Sequence, residues 1–453
     1  MYLSYQDFEK ATNKAEFASK LIQYHYSSLD VRVALDADAY NEQDNITIKR
    51  FQRVYYNLIG EKKADHTVTN NKLASNFFHK LNTQRCNYLL GNGIKLIDDD
   101  NKKKLGRTFD RIFKRAAYYS LIHGTSFIYW NVDRIHMFKL TEFAPLWDEY
   151  TGALRAGIRF WQIDTEKPMI AVLYEEDGYT KMQAEKFGAA FKITEEKKPY
   201  RILKKSIKAG MVPEVVGEEN YGSLPIIPMF GNEIRKSTLP GMRPKIDAFD
   251  IVNSGFANDM EDVAQIYWLV QNADSMSDED LRKFYDKLKL NHIALGGSES
   301  TVQPYTQEVP ADSRIKFLNE IRNQIYEDFG ALDVHAVAAG ATNDHIDAAY
   351  QPMDDETDEF EYCVDECLVH LFELIGMDEE ARFKRNRISN EKERTDMINS
   401  SANYLDDETY LSKLPFIEPD EIQVIMDRKA SEDVNRFYQE PDQEEDEGQE
   451  EEE

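Results

Sequence analysis

The chain shows two hydrophobic periods in turn: helical at first, strand-like after Gly124, and helical again from Arg243. Over residues 1–60, Ala15, Ala18, Leu21 and Ile22 recur at helical steps, after which Leu35–Asn45 reads as a loop. Leu73, Phe77, Phe78, Leu81, Cys86 and Leu89 fall on one side of a helix predicted over Asn70–Leu90, which Gly91-Asn-Gly93 ends. A second helix is predicted over Asn101–His123, with Leu105, Phe109, Ile112, Phe113, Ala116 and Ala117 as its apolar side and Gly124 as its stop. Then Ser126–Asn131, Arg159–Ile163 and Met169–Tyr174, rich in Ile, Val, Phe, Tyr and Trp, predict strands of an antiparallel sheet. Short strands and polar loops continue to Leu224–Gly231.

The longest predicted helix is Arg243–Asn272, where Ile246, Phe249, Val252, Phe256, Met260, Val263, Tyr267 and Val270 form one stripe and Pro244 suits a first turn. At ~1.5 Å per residue it would reach roughly 45 Å. Ala273–Pro310 reads as a small insert: a charged helix over Asp278–Leu288, a strand at His292–Leu295, Gly296-Gly297 and a second strand. A helix returns through Ile315, Leu318, Ile321, Ile325 and Phe329, so the plan is a helical hairpin with a module at its tip. Asp333–Ala349 has no period and reads as a loop. A helix over about Met353–Leu374 follows, with Phe360, Val364, Cys367, Leu368, Leu371 and Phe372 inside, then short helices near Glu391–Leu405, Glu408–Leu414 and Asp420–Tyr438. The fold class is α+β, in several units, without internal repeats.

Charge narrows the function. The 453 residues hold 55 Lys and Arg against 83 Asp and Glu, a net charge of −28. A chain this acidic cannot grip a DNA duplex over a broad face, because that affinity comes from Lys and Arg neutralising phosphates. Ten of the fourteen residues from Glu440 to Glu453 are acidic, and such a block repels itself and is expected to stay disordered. Taking those ten from −28 leaves −18, so the rest is acidic too.

Sites of chemistry are hard to find. Cys86, Cys363 and Cys367 fit buried thiols of a reducing compartment rather than a disulfide framework. No phosphate loop, dinucleotide fingerprint, zinc spacing or nucleophile elbow occurs, so no cofactor is expected. Lys102-Lys-Lys104 reads as a solvated face, and the nine histidines are scattered. Two acidic runs, Asp98–Asp100 and Asp354–Asp358, could offer oxygen ligands to a divalent ion, although acids this abundant cluster by chance. The N-terminus carries no apolar signal region, and the longest uncharged run, Ala116–Val132, is a poor membrane span, so a soluble cytosolic protein is expected.

Four stretches, in order, resemble the portal proteins of tailed bacteriophages, in the branch with an extended C-terminal helical region. They are Arg85-Cys-Asn-Tyr-Leu-Leu-Gly-Asn-Gly-Ile94, Ala116–Trp130 with Ile122-His-Gly-Thr-Ser-Phe-Ile-Tyr129, Leu146-Trp-Asp-Glu149 followed by Ala156-Gly-Ile-Arg-Phe160, and Asp406-Asp-Glu-Thr-Tyr-Leu-Ser-Lys-Leu-Pro-Phe-Ile417 with Pro419-Asp-Glu421. The resemblance implies a portal-type architecture. An N-terminal helical arm would cover 1–60 and an α+β wing 61–240; the stem helices would be 241–272 and 311–332, flanking a clip at 273–310. A channel loop would cover 333–350, a long wing helix 351–385, a crown 386–440 and a disordered acidic tail 441–453.

It further implies Phe249, Phe256, Met260, Val263, Ile321 and Ile325 in stem packing, and Lys287, Lys289, His292 and Ser298 in the clip. His335, Gly340, Thr342, Asn343, Asp344 and His345 would lie in the channel loop. The implied product is a ring, typically of twelve copies, at one capsid vertex of the virion, assembled in the host cytoplasm and not in a membrane. Double-stranded DNA would pass through it, and its partners would be the terminase large subunit, the major capsid and scaffolding proteins and a head–tail adaptor. It would be no enzyme, since ATP hydrolysis belongs to the terminase. Two other readings stay open: another head–tail connector or adaptor, or a metal-dependent nucleic-acid-processing enzyme using one of the two acidic runs.

Overall fold

A computed structural model describes residues 3–56, 61–64, 69–205, 214–263, 267–271, 279, 301–305, 310–334, 342–387, 391–414, 417 and 421–429. They divide into two units, Met1–Ala331 with Pro352–Asn386, and Leu332–Gln351 with Arg387–Glu453.

Four short helices open the first unit: α1 (Tyr5–Glu9), α2 (Lys14–Ser27), α3 (Leu29–Asn41) and α4 (Ile46–Arg50). Each begins on a side chain that accepts N–H groups its first turn leaves unpaired: Ser4, Asn13, Ser28 and Asn45. The expected loop at Leu35–Asn45 is therefore helical as far as Asn41, and Ala34, Ala37 and Tyr40 bury at helical spacing. The hairpin β1 (Val54–Tyr56) and β2 (Lys62–Ala64) precedes α5 (Phe77–Leu90), β3 (Ile94–Leu96), α6 (Asp99–Lys104) and α7 (Phe109–His123). Two readings are corrected here. The first helix starts at Phe77 rather than Asn70, and the second is broken after Lys104, where Gly106 turns the chain at φ +84°. Gly124 ends α7 as expected, at φ +84° and so close to Lys236 that a Cβ would sit 2.7 Å from its carbonyl carbon.

All the strands pair antiparallel. β4 (Thr125–Asn131) lies between β5 (Arg134–Lys139) and the late strand β13 (Ile226–Phe230). The meander β6 (Phe143–Trp147), β7 (Leu154–Trp161), β8 (Met169–Glu175), β9 (Gly178–Ala184) and β10 (Lys192–Lys198) forms a second sheet. The hairpin β11 (Arg201–Lys205) and β12 (Glu214–Glu219) stands between them in sequence. Alternation along the strands buries both faces of each sheet. From β8, Met169, Ala171 and Leu173 meet Phe8, Phe17, Leu21 and Ile22 of the N-terminal helices, while Val172 and Tyr174 meet Phe127 and Phe138 of the other sheet. On β4, Ile128 and Trp130 face the opposite way, toward α5 and α7. The order is helices, sheet, sheet, helices. α1 and α2 thus form one outer layer, while α3 packs through Val31 and Ala34 on Phe127 and Phe138 and through Ala37 and Tyr40 beside Phe78 and Ile122 of α5 and α7.

The remaining elements are α8 (Leu239–Val263), β14 (Tyr267–Gln271), β15 (Thr301–Tyr305), α9 (Ala311–Asp328), α10 (Asn343–Ile375) and β16 (Ala381–Phe383), which pairs with β3. The helix predicted to run to Asn272 ends nine residues early. Tyr267–Gln271, β-branched and aromatic in character, pairs instead with Thr301–Tyr305. In the second unit, α11 (Glu391–Ser401) and α12 (Asp407–Lys413) follow, and residues 421–429 are helical. Tyr410 donates to Asn399 across them at 2.7 Å.

Candidate functional site

The helices α8 and α9 lie antiparallel and are clamped at both ends. Lys245 pairs with Asp328 at one end, and Arg314 with Asp259 at 2.5 Å at the other. Between the clamps, Ile246 and Phe249 pack with Ile321, Ile325, Tyr326 and Phe329, and Phe77 meets Phe249 edge-on with ring centres 5.0 Å apart. Of the residues expected in stem packing, Ile321 and Ile325 are buried and Phe249 and Phe256 half-buried. Met260 is 56% exposed, in the same range as Ile315 and Phe317, so the far half of the hairpin leaves three large apolar side chains open to solvent. Val263 is the last residue of α8, and its side chain lies outside the described residues.

The opposite side of α8 does something the sequence reading missed. Asp250, Ser254 and Asn258, one helical turn apart, accept the backbone N–H groups of Ser75, Leu73 and Asn71 at 2.9, 2.9 and 2.6 Å. Four residues of helix rise about 6.0 Å and two residues of strand about 6.6–6.8 Å, so the two ladders run nearly in step. This is why residues 71–75 do not join the helix that follows: the N–H groups of Asn71, Leu73 and Ser75 are already taken by side chains of α8.

Asn45 joins the ladder to α4. Its Oδ1 accepts from Thr47 and Ile48, and its Nδ2 donates to Asp247 at 3.0 Å and Asp250 at 2.8 Å. Burial pushes the Asp250 carboxyl above its usual range, against the opposing bonds from Asn45 and Ser75. Burial, with Asp247 beside it, pushes the Tyr40 hydroxyl up to about 12. In sequence, polar residues at this spacing look like a solvated helix face.

The segment Asp333–Ala349, read as a loop, is helical from Asn343 onward. α10 begins at Asn343, so Asn343, Asp344 and His345 belong to its first turn, and the Thr342 hydroxyl lies 2.6 Å from His345 Nδ1. His335 and Gly340 lie outside the described residues, as do Lys287, Lys289, His292 and Ser298 of the expected clip. Arg387 holds Asp347 at 3.1 Å and lies over the Tyr350 ring, so part of this segment is braced by its own unit.

The acidic runs have local employment. Asp98 caps α6 at Asp100 N, and Asp100 pairs with Lys103 at 2.7 Å. Asp354, Asp358 and Glu361 converge on Arg385, and Tyr88 donates to Asp354 at 2.7 Å. Among the described residues, no group of three or more His, Cys, Asp or Glu is placed to hold a metal ion. Cys86, Cys363 and Cys367 are buried free thiols. Burial raises all three, Cys86 to about 12 and Cys363 to about 11. Among the described residues, no helix is long and apolar enough to cross a membrane.

Residues 36–447 match the family model described as phage portal protein, SPP1 Gp6-like. The chain belongs to that portal family. Its similarity to the portal protein of Clostridium phage phiCD119 is 21% identity, covering 90% of this chain and 98% of that one. The portal protein of Bacillus phage SPP1 is 24% identical, over 68% of this chain and 62% of its own length. Among solved structures, the neck of a native GTA particle, computed with C12 symmetry, matches at TM-score 0.42 and 9% identity, covering 76% of this chain and 91% of that one. The portal assignment spans both units, from α3 in the first to residues beyond α12 in the second.

Proposed function

We propose that this portal-family chain forms a ring-shaped channel, typically of twelve copies, at one capsid vertex, through which DNA is packaged by the terminase and later ejected. The observation that carries the reading is the family match over residues 36–447. The clamped α8–α9 hairpin supports it, with its exposed Met260, Ile315 and Phe317 suited to packing between neighbouring stems. The strand pair β14–β15 then leads into a clip, and the clip contacts the terminase large subunit and, after packaging, the head–tail adaptor.

The wing meets the major capsid and scaffolding proteins, and the segment before α10 faces the duplex. The net charge of −28 suits a conduit, because each basic contact adds phosphate affinity and would hold the DNA in place. The role is structural, within the virion, and assembly precedes it in the host cytoplasm. In the phage that carries this gene, its loss should leave capsids without DNA, restored by the chain supplied in trans. DNA-filled capsids in its absence would refute the reading.

A further inference from the structure

The ring reading raises an electrostatic problem: identical subunits of charge −28 repel one another. One unit of the chain carries a local answer. Lys104 at the end of α6, Arg107 in the turn that follows, and Arg111 and Arg115 one turn apart on α7 are all exposed. Lys102 and Lys103 are occupied by Asp110 and Asp100. Among the described residues, Arg107, Arg111 and Arg115 have no carboxylate at ion-pair distance, and Arg115 lies only over the Tyr119 ring, at 5.8 Å.

The outward side of α10 has the opposite sign. Phe360, Val364, Cys367, Leu368 and Leu371 face the core, so the helix turns Tyr362, Glu366, Val369 and Glu373 to solvent at matching steps. Asp358 shares that side but is paired with Arg385. Tyr362 is 72% exposed in the middle of the stripe, a large apolar surface among the acids.

α7 and α10 both pack on one face of the sheet ordered β13-β4-β5. α7 packs chiefly over β4 and β5. α10 lies by β13: Glu359 accepts the Glu233 N–H at 2.8 Å just past that strand, and Glu366, His370, Glu373 and Leu374 line one side of a cavity whose other side holds Ile226, Ile227, Pro228 and, among the described residues, a single cation, Arg235. A positive stripe and a negative stripe on one body are complementary head to tail, and a repeated head-to-tail contact gives a ring when its rotation closes.

We infer that the cationic stripe of α6–α7 docks on the Tyr362-centred acidic face of α10 in a second copy of this chain. The inference rests on the portal reading and names the contact through which the ring closes. Opposed charges on neighbouring subunits also fix register, because like-charge juxtaposition across an interface is costly.

The test is charge reversal with rescue, read by native mass spectrometry of the purified full chain. One variant carries Arg111→Glu and Arg115→Glu, another Glu366→Arg and Glu373→Arg, and a third carries all four. Either reversal alone should lower the ring fraction by about tenfold or more, since like charges then face each other. The fourfold variant restores opposite signs and should recover rings, and thermal melting checks that each variant is folded. Rings of wild-type yield in both partial reversals, or no recovery in the fourfold variant while the unaltered chain assembles, overturn the pairing alone. An unaltered chain that forms no rings overturns the portal reading together with the pairing.

Discussion

Asp250 is the residue that ties α8 to the segment before α5 and to α4. It is fully buried, accepts the Ser75 N–H and the Asn45 amide, and stands in the middle of a polar network that also holds Asp247 and Tyr40. Asp250→Ala leaves that N–H and amide without their acceptor, which should cost about 1–3 kcal/mol in a denaturant titration. A cost near zero would show that residues 71–75 are held by other means. His25 supplies a pH dependence. Its Nε2 donates to the Leu140 carbonyl at 2.7 Å, which fixes a neutral tautomer, and burial pushes its pKa down from 6.5 to about 4. The unfolded chain therefore binds this proton more tightly than the folded one. The stability contribution is complete above 6.5 and is lost as pH falls through about 4. The melting temperature should drop across that window, and His25→Gln should flatten the drop.

At the scale of elements, the sequence was legible wherever the deciding contacts were local. The Gly124 stop, the strands around Phe127 and Ala171, and the core side of α10 all follow from period and turn chemistry within a few residues. Errors arose where a distant partner decides. Residues 71–75 have helical periodicity, but side chains from α8 capture their backbone, and Tyr267–Gln271 continues a helical stripe until Thr301–Tyr305 is present to pair with it. The clip and most of the channel segment fall outside the described residues, so those expectations stay with the sequence.

The hairpin itself makes a differential prediction. Met260 is 56% exposed and Ile325 fully buried. Met260→Asp should leave the melting temperature of the subunit almost unchanged, since surface substitutions are usually within about 0.5 kcal/mol, yet reduce ring yield. Ile325→Asp should prevent folding, because a buried unpaired charge costs several kcal/mol. A Met260→Asp chain that assembles as well as the unaltered one would remove this side of the stem from the interface.

For the whole molecule, the acidic composition, the four-layer first unit and the two-ended hairpin fit the proposed reading of a subunit in a ring. Exposed apolar residues on the hairpin and complementary charge stripes on α6–α7 and α10 are left over once the single chain has folded. On the proposed reading these surfaces are consumed by copies of the same chain, leaving a lumen with little affinity for phosphate. The most direct test is electron microscopy of the purified full chain. The account predicts closed rings with a central opening, each built from several 52.7 kDa subunits. Monomers alone at concentrations that support assembly, or particles without an opening, would contradict it.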